Sequence, residues 1–248
     1  MSNREQTAII DSSVDYERLY GYRFRGIEQA RREAVWSVIS RNIYHRMGAP
    51  VSVLDPAAGR GEFIRSIPSA DRWAVDVMPQ EGLAEAGVTT IVSDIRKAAL
   101  PLNYFDGVFV SNFLEHLPDQ NAVAEVLLKF CDVMQCGGRI AIMGPNFKFC
   151  ADEYFDCADH AVILTHVSVA EHLHAAGFNV TDTVPRFLPY SFRGRLPPSP
   201  LLTRTYLRVP LAWRVLGRQF LVIGHKPASA TAARVSPAGS PARVPSAP

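Results

Sequence analysis

Val51-Ser52-Val53-Leu54-Asp55-Pro56-Ala57-Ala58-Gly59-Arg60-Gly61-Glu62-Phe63 is the stretch on which the fold turns. A short β-rich run ends in an acid, passes through small residues, and enters text that reads as helix from Glu62. Glycine at 59 and 61 lets the backbone approach a ligand closely. The helix that follows offers free N–H groups to an anion. A dinucleotide fingerprint puts glycine directly after the strand, as GxGxxG. Here Asp55 stands at the strand end and Ala57 at the first small position. An acid there repels a pyrophosphate; it suits an amine or sugar hydroxyls.

Strand and helix signals alternate on either side. Residues 15–47 carry Ile27, Ala34, Val38, Ile39 and Ile43 among others at helical spacing, which predicts one or two amphipathic helices ended by Gly48 and Pro50. Strands are predicted at 51–55, 73–77, 89–92, 107–111, 139–143, 178–184 and 220–223. A helix is predicted at 121–134, closed by Gly137-Gly138, and Ser168-Val169-Ala170-Glu171 reads as a capping box opening another. The strands are almost continuously apolar, as buried parallel strands are. Their alternation with helices implies an α/β sheet covered on both faces.

The wider composition fits one main domain. The 248 residues are 48% hydrophobic and 20% charged, which excludes global disorder; 18 Pro and 16 Gly exclude one long helical bundle. No run of about 18 apolar residues suggests a membrane span. The polar start MSNREQTAIIDSS lacks the apolar centre of a signal peptide, and residues 1–14 read as flexible. Cysteines 131, 136, 150 and 157 show no zinc spacing and read as free thiols in a reducing cytoplasm. No metal requirement is expected from this spacing. Residues 227–248 are Pro, Ala, Ser, Val and Arg with little else, and read as a disordered, dispensable tail. The domain proper is expected at 15–226.

Charge is unevenly placed. All 24 acids lie at or before Asp182, whereas ten of the 26 Lys and Arg lie beyond it. The first part therefore carries −8 and the remainder +10, which suggests an anionic partner for the C-terminal part. Between the last two strands, 187–217 forms a basic insertion containing Tyr190, Arg193, Arg195, Tyr206 and Trp213. From 201 to 216 it is amphipathic and interrupted by Pro210. That pattern suits a cap packed on the sheet, or a peripheral contact with the inner membrane surface.

Two further acids end predicted strands. Asp76 lies about 20 residues beyond the glycine loop, where a ribose-binding carboxylate belongs in doubly wound sheets. Asp94 ends the next strand and can accept from an exocyclic amine, or cap the following turn. In open α/β sheets, ligands lie beyond the carboxyl ends of the strands.

VLDPAAGRGEF at 53–63, WAVDVMP at 73–79, SDI at 93–95, FDGVFVSNFLEHLPD at 105–119 and CGGRIAIMGPN at 136–146 together resemble the class I S-adenosylmethionine-dependent methyltransferases of the type 11 and 23 kind. The resemblance implies a Rossmann-like seven-stranded sheet with an antiparallel last strand. It also implies roles. Asp55, Ala57, Gly59 and Gly61 would hold the methionine portion, Asp76 the ribose with Val77 beside the adenine, and Asp94 and Ile95 the adenine border. Asn112 and Phe113 would line the methionine side. Ala57 departs from the usual glycine. The stretches at 153–178 and 186–227 are similar to a bacterial subgroup found in cell-surface polysaccharide gene clusters, which implies a saccharide acceptor.

Methyl transfer to a hydroxyl benefits from a base, usually His or a carboxylate. His160, in Asp159-His160, is expected to act as base or to orient the acceptor, with His116 in second place. His116 also suits packing under its loop, and His166 a structural role. Arg23, in the aromatic-basic strip 20–25, is expected to meet the methionine carboxylate or an anionic substrate. Alternatives are a small-metabolite or quinone methyltransferase, and a non-catalytic cofactor-binding partner in a glycan-synthesis complex. Basic residues alone do not specify nucleic acid.

Overall fold

The computed structural model describes residues 15–228 except 24, 27 and 191–198. In chain order the elements are α1 (Tyr16–Arg23), α2 (Gln29–Arg46), β1 (Ser52–Asp55), α3 (Glu62–Ser66), β2 (Asp71–Asp76), β3 (Thr89–Val92), β4 (Phe105–Ser111), α4 (Gln120–Val133), β5 (Met134–Pro145), α5 (Phe147–Cys150), α6 (His166–Ala175), β6 (Asn179–Leu188), α7 (Pro200–Leu207), α8 (Pro210–Leu216) and β7 (Gln219–His225). The strands form one sheet in the order β3-β2-β1-β4-β5-β7-β6. Pairs from β3 to β5 are parallel, and β7 runs antiparallel to both β5 and β6. The expected α/β Rossmann-like sheet with its antiparallel last strand is present.

Side-chain alternation along each strand divides two cores. Leu54, Val108 and Val110 point to one face, where α4 and α6 bring Val126, Phe130 and Leu173. Val53 and Phe109 point to the other, with Ile39 and Ile43 of α2 and Phe63 of α3. Both neighbours of a strand residue are buried, which is why the sequence reads as continuous apolar runs rather than alternation. Each fully buried large side chain contributes about 1.5–3 kcal/mol.

Three boundaries depart from the sequence reading. Gly137-Gly138 does not close a helix: α4 ends at Val133 and both glycines lie inside β5. The Gly137 N–H donates to the Lys226 carbonyl at 2.8 Å, and the Lys226 N–H to that of Gly138 at 2.9 Å, so chain beyond β7 continues the pairing. The capping box is displaced by three residues. Thr165 is the N-cap and Ser168 its reciprocal partner, with Ser168 N–H on Thr165 Oγ1 at 3.1 Å and Thr165 N–H on Ser168 Oγ at 2.9 Å. Helix entry is set there because Leu164 is held extended: its carbonyl accepts from Phe147 N–H and its N–H reaches Tyr154 Oη. Finally, Pro210 does not interrupt a helix. Pro200 and Pro210 each open one, at the first turn where a missing N–H costs nothing.

The insertion leaves β6 and returns at the carboxyl end of the parallel strands, since Gln219 of β7 pairs with Pro145 of β5. Leu207 and Trp213 anchor it, Trp213 lying edge-on to Phe187 at 5.4 Å between ring centroids and donating Nε1–H to the Tyr206 carbonyl. Leu201, Leu202, Leu211, Val215 and Leu216 remain exposed. Expected residues Arg193 and Arg195, the flexible start 1–14 and 229–248 of the tail lie outside the described residues.

Candidate functional site

Strand order places β1 at the centre of the parallel part, between β2 and β4. The acids at the ends of β1 and β2 therefore sit side by side. Asp55 is 4% exposed, with its carboxylate beside Asp76 and Glu62. Burial, then the charges of Asp76 and Glu62, push its pKa well above the usual carboxylate range. Glu62 is paired with Arg32 of α2 at 2.5 Å, Nε to Oε1. Burial also raises the pKa of Asp76, opposed by backbone N–H bonds from Met78, Gly59 and Val77.

Those bonds build the loop. Gly59 N–H donates to Asp76 Oδ2 at 2.7 Å and Met78 N–H to Oδ1 at 2.9 Å. Each oxygen keeps a further lone pair for a ligand hydroxyl. Ala58 N–H reaches the Val75 carbonyl at 3.1 Å, and Gly61 N–H turns back to the Ala58 carbonyl at 2.7 Å. Gly59 and Gly61 have positive φ, 54° and 72°. Ala57 does not, so alanine adds no backbone strain there. A Cβ on Gly59 would meet open space, whereas one on Gly61 would lie 2.6 Å from Leu83 Cδ2. Gly61→Ala is expected to destabilise the fold by about 1–3 kcal/mol through φ strain and this clash. A denaturant midpoint equal to wild type would contradict it.

The buried acids fit a cationic ligand bearing vicinal hydroxyls. A sulfonium and an ammonium offset the clustered negative charge around Asp55, and a ribose matches the free lone pairs of Asp76. Val77 follows Asp76 and is half-buried, and Ile95 is 3% exposed beneath the same edge. Asp94, expected at the adenine border, follows β3. Its carboxylate accepts the Arg96 N–H at 2.9 Å and the Arg96 guanidinium at both oxygens. Against a burial cost, these bonds hold its pKa below the usual value. Asp94 thus caps the turn in which it stands.

Beyond β4 lies a second group. Asn112 takes positive φ, 47°, and its N–H donates to the Met143 carbonyl of β5. Asparagine tolerates that conformation better than most residues. Phe113 follows, half-buried, and Leu114–His116 form one 3-10 turn. The Glu115 carbonyl accepts from Ala161 and Val162 N–H at 2.8 and 3.1 Å, which ties the 159–164 loop to this turn. His116 and His160, 44 residues apart in sequence, are thereby brought to 4.9 Å between ring centroids. Tyr154, fully buried, supports His160 edge-on at 4.7 Å and donates its hydroxyl to the Val162 carbonyl.

Asp159 closes this group. His116 Nδ1 lies 3.1 Å from the Asp159 carbonyl and 3.3 Å from Oδ2. Arg23 of α1 forms an ion pair with the same carboxylate. Arg23, expected to meet the methionine carboxylate or an anionic substrate, thus meets an acid of the chain itself. Burial opposes ionisation of Asp159, and Arg23 and His116 outweigh it, holding the pKa low. Burial, then His116, lowers the pKa of His160 to about 4, so its ring is neutral at pH 7. Glu115 is 2% exposed and its pKa is raised, first by burial. Glu115 was not anticipated; the sign was an acid inside the apolar text Phe113-Leu-Glu-His-Leu117. Tyr190 lies within 3.6 Å of Cys157 Sγ through its hydroxyl, on the same side. His166 is structural, its Nδ1 2.9 Å from Asn146 Nδ2. The groove between α6 and β6, with Val167, Ala170, His174 and Val180, lies at the sheet's far edge and holds none of the strand-end acids.

Residues 54–142 match the family model described as a methyltransferase domain. No curated protein matches the chain. Among solved structures, a SAM-dependent methyltransferase from Archaeoglobus fulgidus is 22% identical, with a TM-score of 0.60 over 86% of this chain and 100% of that one. A Haloferax volcanii complex of the Trm112 methyltransferase activator with a methyltransferase gives 15% identity and 0.62, over 87% and 98%. The N-methyltransferase NodS from Bradyrhizobium japonicum gives 14% and 0.54, over 77% and 94%. The chain thus matches a methyltransferase-domain model over residues 54–142 and has the fold of solved S-adenosylmethionine-dependent methyltransferases.

Proposed function

We propose that this chain is a methyltransferase that binds S-adenosylmethionine in the Asp55–Gly61 loop and methylates a hydroxyl or amine of a saccharide, phosphate- or lipid-linked. The observation that carries the reading is the pairing of two sites at neighbouring strand ends. One is a buried acidic loop beyond β1 and β2 suited to a cationic nucleoside. The other is the Glu115, His116, Asp159 and His160 group beyond β4. Bound in the loop, the cofactor supplies a methyl group already activated on sulfonium. The protein's work is then alignment. Asp76 fixes the ribose end, Asp55 faces the positive charge, and Asn112 and Phe113 border the methionine side. His160, with His116 beside it, orients the acceptor oxygen and eases loss of its proton.

The saccharide class rests on three supports. They are the resemblance of the C-terminal half, the +10 balance beyond Asp182, and the aromatic-basic insertion with Tyr190. Arg193 and Arg195 are proposed as phosphate contacts. A place at the inner membrane surface, from the cytoplasmic side, is supported by the exposed Leu201, Leu202, Leu211, Val215 and Leu216 interleaved with Arg204, Arg208 and Arg214. No helix among the described residues is long and apolar enough to cross a membrane. Purified protein incubated with cofactor and a panel of sugar nucleotides, lipid-linked glycans and quinones tests the assignment. The expected result is a one-methyl mass gain on a saccharide. Methylation of a quinone alone would overturn the substrate class, and cofactor binding without turnover of any acceptor would favour a non-catalytic partner.

A further inference from the structure

We propose that Glu115, His116 and His160 hold a divalent transition-metal ion at the acceptor side of the site. This inference rests on the methyltransferase reading for its use, but not for its existence. Ligand spacing along the sequence gave no hint of it, because the residues come from two loops: the turn after β4 and the segment before α6. The fold brings one carboxylate oxygen and one nitrogen from each imidazole to within 4.8 Å of one another. Donors on a single ion at about 2.1 Å lie about 3–4.2 Å apart, so small side-chain rotations close the set.

Three details point to a ligand. First, Glu115 Oε1 and His160 Nδ1 are buried and have no hydrogen-bond partner. Such groups rarely go unsatisfied in folded proteins. Second, His116 is already oriented. Nδ1 faces the Asp159 carbonyl at 3.1 Å, and a carbonyl only accepts, so Nδ1 carries the proton. Nε2 is left with its lone pair, 4.0 Å from Glu115 Oε1. Third, a backbone carbonyl behind Nδ1 is one of the acceptors that orient metal-bound imidazoles, and the Asp159 carboxylate adds negative charge 3.3 Å from the same nitrogen. Arg23 pairs with that carboxylate and holds it ionised.

Two imidazoles and one carboxylate form a donor set for zinc, manganese or iron rather than for calcium. Three protein ligands leave coordination positions open. An acceptor hydroxyl taken there becomes more acidic and is held toward the methyl group. Its O–H proton passes to water, the oxygen–methyl bond forms, and the electron pair of the broken carbon–sulfur bond stays on sulfur. No oxidant or reductant enters.

The test uses full-length, metal-stripped protein titrated with Mn²⁺, followed by calorimetry and by the Mn²⁺ paramagnetic resonance signal. One ion per chain is expected. Glu115→Gln and His160→Gln should each weaken binding at least tenfold, and Asp159→Asn by about 10–100-fold as a supporting carboxylate. Two ligand variants are used so that one failing to fold leaves the other decisive. Absence of saturable binding, or equal affinity in folded ligand variants, would overturn the site. Cofactor affinity is measured on the same metal-free samples. Loss of cofactor binding in wild type would count against the methyltransferase reading and leave the metal result standing.

Discussion

Replacing His160 by alanine is expected to lower turnover by about 10²–10⁴ while cofactor affinity stays at the wild-type value. The residue touches the acceptor side only. It sits on the loop tied to the Glu115 carbonyl, and not on the glycine loop that builds the cofactor site. A hydroxyl has to shed its proton as it attacks, and a misplaced acceptor loses rate steeply. Steady-state rates with the true acceptor, beside calorimetry of cofactor binding, separate the two effects. Near-normal turnover would remove His160 from the mechanism and make His116 the leading residue. A small effect would also point to an amine acceptor that is neutral before it attacks.

Asp76→Ala should raise the dissociation constant for S-adenosylmethionine by about 100-fold or more. Two charge-assisted bonds to ribose hydroxyls are lost, each worth about 1.5–3 kcal/mol at the upper end, and every 1.4 kcal/mol is tenfold. The substitution also removes the oxygens that hold Gly59 and Met78 N–H, so the loop loses its shape as well as its charge. Asp76→Asn keeps the side-chain volume and should fall between the two. Calorimetry with unchanged affinity in Asp76→Ala would remove this residue from the cofactor site.

The strand-end loop was legible because it is local. Strand, acid, small residue and Gly-x-Gly turn follow one another in thirteen residues, and Asp76 ends the adjacent strand by the same logic. The acceptor half was legible only in part. His116 and His160 stood out as residue types, yet their meeting depends on two backbone bonds to the Glu115 carbonyl, which no periodicity encodes. The ion pair of Arg23 with Asp159 joins residues 136 apart and had no local signal. The pair of Asp94 with Arg96, two residues on, is local and follows from a turn-capping acid. The cap at Thr165, three residues before the expected one, has a non-local origin: a tyrosine hydroxyl accepts from the N–H of the residue before it.

The position of β7 governs how the chain assembles. Among the described residues it is the last strand in sequence, yet it lies inside the sheet, and β6 has no strand neighbour other than β7. Until residue 225 has left the ribosome, β6 has nothing to pair with, and β5 presents an open edge. The parallel half from β3 to β5 therefore forms with its apolar flank uncovered, and one late insertion closes both gaps at once. Contacts such as Ile140 with Gly224 join residues far apart in sequence, and long-range pairing of this kind is slow. The nascent protein passes through a stage in which an unpaired edge is available to a neighbouring copy. Truncations short of His225 remove two strands from the sheet rather than one.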